Sequence, residues 1–167
     1  MTVTTATRTP LPGREEFCTA MAQLATGVAV ITTNGSDGPV GCTASAVLSL
    51  STEPPSLLVS LASGGRTVRQ ALDHGLFAVN ILSWQQRDLI DRFARRPAAE
   101  RFEGVAHRDE EGCPVLQGTA AAVVCRLDQA PTAFDHTLLI GRALWTAHDL
   151  TAQAAVLYQR HPHAVAR

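Results

Sequence analysis

The sequence predicts a mainly β protein with short helices, arranged as a β-barrel of Greek-key kind. Three observations lead to this fold class. Many short runs are rich in β-branched and other apolar residues, and Gly, Pro and Asn separate them. Only a few segments space their apolar residues as an amphipathic helix does. Strands and helices do not alternate regularly, which argues against the parallel sheet of an α/β fold.

The first segment, residues 1–12, is rich in Thr and Pro, and we expect it to be disordered. Residues 13–167 contain no linker or internal repeat, so we expect a single domain. A helix is predicted over residues 14–25, because its three large apolar side chains fall on one face. Two glutamates near its start suit the positive end of the helix dipole.

A β-hairpin and a second pair of strands follow this helix. The turn at residues 34–38 opens with an Asn-Gly pair, which is typical of hairpins. The Pro54-Pro55 pair marks a connection, because proline cannot donate a hydrogen bond inside a sheet. The strands predicted here are residues 28–33, a return strand from about residue 39, and residues 46–50 and 56–61.

The middle of the chain predicts helix, strand and helix in that order. Residues 67–74 carry apolar side chains at helical spacing, and Gly75 is expected to end this helix. Residues 76–82 predict a buried strand. Ser83 and Gln86 form a capping-box pattern, so a further helix is expected from there to the Arg-Arg-Pro sequence at residues 95–97.

The last third of the chain predicts mainly strands. Residues 97–112 hold most of the remaining charge, and we expect them to form a surface excursion. The strands predicted after it are residues 115–116, 120–127, 137–146 and 155–158.

Composition excludes several classes of function. The chain of 167 residues is 46% hydrophobic and 17% charged, which is typical of a globular domain. A formal net charge of -1 gives no attraction to nucleic acid or to a membrane surface. The longest apolar runs are too short to span a membrane, and no apolar segment near the N-terminus indicates a signal peptide.

Two residue types narrow the chemistry further. The sequence contains no Lys, which excludes Schiff-base chemistry and a P-loop lysine. Its four cysteines are widely spaced and form no CxxC pair, so we expect no zinc or other metal site. We expect reduced cysteines in a cytoplasmic protein.

The stretch from Gly41 to Thr67 is the strongest candidate for a ligand site. It begins with small and hydroxyl-bearing residues that would let a flat ligand approach the backbone. It ends in Ser63-Gly64-Gly65-Arg66-Thr67, a glycine-bearing turn before a helix, which would offer N–H groups and a cation to a phosphate. An ordinary glycine-rich loop explains the same residues equally well. The spacing matches neither a P-loop nor a Rossmann fingerprint.

Two further groups of residues are candidates. Arg92, Arg95 and Arg96 end a predicted helix, where cations are favourable in any case. His136 stands where a loop enters a strand, and the adjacent Asp135 would orient its ring. A half-exposed histidine at a strand start is the alternative interpretation.

In its motifs the chain resembles the flavin reductase-like family, which includes the small reductase components of two-component flavin-dependent monooxygenases. The resemblance extends from about residue 17 to residue 158. It departs from the common pattern at Ala46, at Phe134 and in the C-terminal segment. The motifs that carry it are ATGVAVIT (25–32), GPVGCTAS (38–45), SLSTEPP (49–55), FAVNIL (77–82), RFA (92–94) and DHTLLIGR (135–142).

The resemblance implies a split β-barrel of Greek-key topology, a homodimer and a set of flavin-binding positions. The isoalloxazine ring and ribityl chain would lie along Pro39, Val40, Gly41, Cys42, Thr43, Ser45 and Ala46. The ring and phosphate would be held by Ser60, Leu61, Ala62, Arg66 and Thr67. The phosphate or an FAD adenylate half would meet residues 92–97, which include Arg92 and Phe93. The nicotinamide site would be bordered by Asp135, His136, Thr137 and Leu138, with His136 as the catalytic-site residue.

The function implied is hydride transfer from NADH or NADPH to FMN or FAD, with the reduced flavin passing by diffusion to a partner monooxygenase. Two alternatives stay open: a flavin- or haem-binding split barrel without turnover, and an enzyme like the pyridoxine-phosphate oxidases. The sequence distinguishes neither FMN from FAD nor NADH from NADPH.

Overall fold

β-Strands are the dominant element of the computed structural model, which describes residues 11–165. The helices are α1 Arg14–Met21, α2 Arg66–His74 and α3 Asp88–Arg95, with single 3₁₀ turns at Trp84–Gln86 and Ala98–Glu100. The strands are β1 Thr26–Gly27, β2 Ala29–Gly35, β3 Gly38–Ala44, β4 Val47–Thr52, β5 Pro55–Ala62, β6 Leu76–Ile81, β7 His107–Glu110, β8 Cys113–Leu116, β9 Ala121–Gln129, β10 Thr132–Ala133, β11 His136–His148, β12 Ala155–Tyr158 and β13 His161–Ala164. The mainly β prediction is confirmed. The tail predicted to be disordered lies outside the described residues, except for Leu11 and Pro12.

One antiparallel sheet organises the molecule, with the strand order β3-β2-β6-β9-β11-β5-β4. The chain leaves one edge of this sheet at β3 and enters the other edge at β4, with only Ser45 and Ala46 between the two strands. The sheet must therefore curl until its two edges approach each other at these residues. This crossover gives the Greek-key barrel that the sequence predicts, open along the gap between β3 and β4.

The core fills the inside of the curled sheet. Ile31, Val59, Phe77 and Leu139 come from four different strands and are completely or almost completely buried there. Burial of side chains of this size contributes about 1.5–3 kcal/mol each. Gly141 on β11 is required for this packing, because a Cβ atom there would lie 2.6 Å from the ring of Phe77.

Two further apolar clusters attach the smaller elements to the barrel. One joins α3 to the sheet through Phe93, which is fully buried. The other places the β7–β8 hairpin against β6 and β9 through the buried Cys113 and Val115. The third sheet, with the order β1-β12-β13, closes the end of the barrel beside α1.

Local signals in the sequence locate several element ends correctly. Gly75 ends α2 with a left-handed φ of 73°, and its N–H donates to the carbonyl of Ala71 at 2.9 Å. The capping box is present, with the Ser83 N–H donating to Gln86 Oε1 at 3.3 Å. The predicted hairpin is also present, although Gly35 pairs with Gly38 and the turn is therefore centred on residues 36–37.

Several predictions differ from the structure. Helix α1 ends at Met21 instead of residue 25, and none of its residues is buried. Residues 97–112 are not only a surface excursion, because Phe102 packs edge-on against Phe93 at 5.1 Å between ring centroids. Strand β13 was not predicted, because its sequence His-Pro-His-Ala has no apolar alternation; it pairs only with β12, where a proline at an edge is tolerated.

Candidate functional site

A cleft of about 360 Å³ opens between β3, the start of α2 and α3. The structure brings nine predicted positions together in it, and three lining residues were not predicted. The predicted residues are Cys42, Thr43, Leu61, Ala62, Gly65, Arg66, Thr67, Phe93 and Ala94. The others are Val68, Ala98 and Arg101.

The loop between β5 and α2 presents one wall of this cleft. Gly65 precedes the helix in an extended conformation, and its N–H donates to the carbonyl of Ala62 at 3.1 Å. No side chain caps the helix, and no acidic residue stands in its first turn. The polarised N–H groups at this end of α2 therefore suit an anion. The helix begins at Arg66, one residue before the predicted start.

Arg101 supplies a cation that no motif in the sequence marks. Its Nη1 donates to the carbonyl of Gly41 at 2.8 Å and its Nε to the carbonyl of Arg96 at 2.9 Å. Among residues 11–165 it forms no ion pair with a carboxylate. Its positive charge is therefore available to an anionic ligand in the cleft. Arg66, by comparison, lies 3.4 Å from the exposed carboxylate of Asp37.

Arg92 donates hydrogen bonds to the backbone, and its contact with a ligand stays a prediction. Its Nε donates to the carbonyl of Arg101 at 2.8 Å, and its Nη2 donates to the carbonyls of Glu100 and Glu103. Arg92 thus holds the segment that carries Arg101, and it does not line the cleft. Phe93 does line it, packed against Gly41, where a Cβ atom would come within 3.1 Å of the ring.

The polar side chains of β3 that line the cleft already form hydrogen bonds within the protein. Thr43 Oγ1 donates to the carbonyl of Ile90 at 2.7 Å, which ties β3 to α3. Burial raises the pKa of the Cys42 thiol, although a hydrogen bond with Thr67 and the charge of Arg101 oppose this shift. Cys42 therefore remains a neutral thiol at neutral pH, unsuited to act as a nucleophile.

The antiparallel pairing of β5 and β11 brings the second predicted group beside the first. His136 pairs with Ala62, Thr137 with Leu61 and Leu138 with Ser60. The Ser63 N–H donates to the carbonyl of Asp135 at 3.0 Å, and the hydroxyls of Ser63 and Thr137 lie 2.9 Å apart. The Ser63–Gly65 loop therefore has Arg66 and Thr67 on one side and His136 on the other.

Asp135 orients the imidazole of His136. The His136 Nδ1 lies 2.7 Å from Asp135 Oδ1, and the side chain of His136 is 45% exposed. This hydrogen bond lowers the pKa of Asp135, which is itself fully exposed. A hydrogen bond at Nδ1 leaves Nε2 as the free ring atom.

The remaining predicted residues lie along the barrel gap or away from the clefts. Ser45 and Ala46 line a second cleft of about 370 Å³ with α1 and the β12–β13 hairpin. The Ser60 N–H donates to the carbonyl of Ala46 at 2.9 Å, which connects this cleft to the β5–β11 pair. Pro39 and Val40 line neither cleft, and Val40 is buried in the core.

Cleft volume alone does not identify the site. A cleft of about 370 Å³ also lies between Arg108, Trp145 and His148, and an apolar one of about 450 Å³ lies at the barrel mouth near Val47 and Ile81. The β3–α2–α3 cleft differs because an uncapped helix N-terminus and an arginine without an ion pair meet there, beside a histidine oriented by a carboxylate. These features make this cleft the best candidate for the site of an anionic, phosphate-bearing ligand.

Comparison with known proteins assigns the family. Residues 21–166 match the family described as "Flavin reductase like domain". The chain belongs to this flavin reductase-like family, as its motifs indicate. No helix within residues 11–165 has the length and hydropathy that crossing a membrane requires.

Two relatives illustrate the similarity in sequence. "FMN reductase (NADH) RutF" of Variovorax paradoxus (strain S110) is 36% identical over 159 residues, which are 94% of this chain and 88% of the relative. A protein of Rhizobium meliloti (strain 1021) named "Probable flavin reductase" is 40% identical over 125 residues. Those residues are 74% of this chain but only 40% of that longer relative.

Solved structures confirm the split-barrel fold. "Flavin reductase PheA2 in native state" superposes with a TM-score of 0.85 at 30% identity, covering 93% of this chain and all of the other. The styrene monooxygenase flavin reductase of Pseudomonas putida S12 gives a TM-score of 0.80 at 29% identity, covering 90% of this chain and 97% of the other.

Proposed function

We propose that this protein is a flavin reductase that transfers a hydride from NADH to FMN or FAD. The register of β5 and β11 carries this proposal, because it pairs His136 with Ala62, which lines the β3–α2–α3 cleft. A site for the flavin phosphate and a site for the hydride donor would then be neighbours. Membership of the flavin reductase-like family supports the reaction, and the name of the Variovorax relative supports NADH and FMN.

The residues of the chain would bind and orient the two reactants. When bound, the flavin ring accepts the hydride, so that NADH, a proton and oxidised flavin become NAD⁺ and reduced flavin. Arg101 and the N-terminus of α2 would hold the phosphate, and backbone groups of Thr43 and Ala62 would border the ring. His136 would position the nicotinamide through its free nitrogen. The two rings would thus meet in a fixed orientation, which is the main contribution of the protein.

One assay tests this function directly. Purified protein is mixed with NADH and an excess of FMN or FAD, and the loss of pyridine nucleotide absorbance is followed. We expect NADH consumption that depends on both flavin and protein and saturates with each reactant. Flavin binding without NADH consumption would support the alternative of a binding protein without turnover. Parallel assays with NADPH and with each flavin establish the preferences that the sequence leaves open.

We propose further that the reduced flavin leaves to serve a separate monooxygenase. The name of the styrene monooxygenase reductase supports this proposal. The exposed position of His136 and Asp135 also suits reactants that exchange. Exchange predicts that gel filtration removes the flavin from the protein and that added flavin restores NADH consumption. Flavin that stays bound through gel filtration would contradict release by diffusion.

A homodimer is the proposed assembly. Helix α1 buries none of its residues, and Phe17, Met21 and Leu24 are 57%, 47% and 57% exposed. A second copy would cover these apolar side chains. Light scattering after size exclusion should therefore give twice the chain mass of 17.8 kDa. The cytoplasmic location stays a prediction.

A further inference from the structure

The turn between β10 and β11 holds a phenylalanine where the backbone favours glycine. Phe134 and Asp135 are the two residues of this turn, because Ala133 pairs with His136. Phe134 has a left-handed φ of 55° and its side chain is fully exposed. Two-residue hairpin turns normally place Gly, Asn or Asp in this conformation, and a bulky residue there is an outlier.

The surrounding hydrogen bonds fix this turn. The carbonyl of Asp135 accepts the N–H of Ser63 at 3.0 Å, and the N–H of Leu138 donates to the carbonyl of Pro131 at 2.9 Å. The hydroxyl of Thr137, which is buried, lies 2.9 Å from that of Ser63. Three hydrogen bonds thus fix the backbone at this turn, while the phenyl ring extends into solvent. Strained residues that are held in place by their surroundings cluster at ligand-binding and active sites.

A phenyl ring offers only a flat apolar surface to a ligand, and it stacks best on another planar ring. Phe134 stands two residues before His136, beside which the proposed function places the nicotinamide. One face of that nicotinamide must meet the flavin, so its other face is free to meet a second ring. We propose that Phe134 is a binding residue for the hydride donor, which stacks on the exposed face of the nicotinamide. This inference rests on the proposed function.

Substitution of Phe134 by glycine tests the proposal, because glycine adopts the observed φ without strain. We expect the KM for NADH to rise about tenfold, the usual order for the loss of one stacked ring. The kcat at saturating NADH and the Kd for FMN should stay unchanged, since only donor binding is lost. Calorimetric titration of the FMN-loaded protein with NAD⁺ should show the same loss of affinity. The matched control is Phe134→Tyr, which keeps the ring and should retain the wild-type values.

Reduced nicotinamide mononucleotide lacks the adenine ring. Its KM therefore shows whether Phe134 contacts the nicotinamide or the adenine of the donor. If Phe134 meets the nicotinamide, the same rise in KM should appear with this shortened donor. A rise seen only with NADH would overturn the assignment to the nicotinamide. An unchanged KM in an active Phe134→Gly protein would overturn the inference alone, whereas an inactive wild-type protein would overturn the proposed function with it. A lower melting temperature for Phe134→Gly would indicate a structural role instead.

Discussion

The β3–α2–α3 cleft and the turn at residues 134–136 both adjoin the loop between β5 and α2, yet they are built differently. In the cleft, Phe93 is fully buried and Thr67 is 4% exposed. In the turn, the side chain of Asp135 is 89% exposed and that of His136 45%. Hydrogen bonds fix the backbone in both places, but only the cleft is continuous with the apolar core.

This difference in burial predicts a difference in how the two proposed reactants bind. A cleft whose walls are part of the core is preorganised, so little conformational entropy is lost when a phosphate enters it. An exposed turn can admit and release a donor without rearranging the core. Removal of a cation from the cleft should therefore affect flavin affinity, whereas changes at the turn should affect the use of NADH.

The largest effect is expected from Arg101→Ala. It removes the cleft arginine that forms no ion pair within residues 11–165, and a charge-assisted hydrogen bond contributes about 1.5–3 kcal/mol. The Kd for FMN should rise about thirtyfold, measured by quenching of flavin fluorescence. The KM for NADH at saturating flavin should change little.

A matched control tests whether flavin binding depends on where the charge lies or only on the net charge of the protein. Arg87→Ala also removes one arginine, but that side chain stacks on Trp84 at 5.0 Å and does not line the cleft. Its flavin affinity should equal that of the wild type. Similar losses in the two variants would mean that net charge, and not the cleft, determines flavin binding.

At the turn, His136→Ala should produce the opposite pattern. The imidazole held by Asp135 at 2.7 Å is the proposed contact of the nicotinamide. We expect the kcat/KM for NADH to fall about tenfold, which corresponds to about 1.4 kcal/mol. The Kd for FMN should remain within about twofold of the wild type. An equal loss of both quantities, or of neither, would count against this role and against the separation of the two regions.

A smaller effect on the cleft is expected from Arg92→Ala. Arg92 acts through the segment that carries Arg101, since it donates to the backbone carbonyls of Glu100, Arg101 and Glu103. Loss of these bonds should loosen Arg101 and raise the Kd for FMN about fivefold. Arg92→Lys should recover little, because an ammonium group lacks the planar set of donors. In the Arg101→Ala background the same change should have almost no effect on the Kd, and full additivity would contradict positioning.

Local chemistry made much of the fold predictable. Asn34-Gly35 marks a hairpin, Gly75 ends a helix, and Ser83 with Gln86 begins a helical turn, each through bonds between residues close in sequence. The positions brought together by β5 and β11 could also be named in advance, because the resemblance supplied their motifs. The contact of His136 with Ala62 is long-range, and residue spacing alone would not have found it.

The sequence does not reveal roles that depend on backbone groups distant in the chain. Arg101 lies in a charged segment without a motif, and its place is set by Arg92 and by the carbonyl of Gly41, 60 residues away. Arg92 was predicted to meet the ligand because its charge is evident from the sequence, whereas its bonds to three carbonyls are not. The same reasoning explains β13, whose polar sequence becomes a strand only because β12 offers it an edge.

The smallest effect is expected on the melting temperature, from the protonation of Asp135 in the turn. The hydrogen bond from His136 lowers the pKa of Asp135 below its ordinary value of 3.8. A carboxylate whose pKa is lower in the folded state stabilises the fold above that ordinary value, and this contribution is lost as the pH falls through the folded pKa. Between about pH 6 and about pH 3, the melting temperature of the wild type should therefore fall slightly more than that of Asp135→Asn. Equal decreases would show that this bond orients His136 without stabilising the fold, because solvent screens a fully exposed pair.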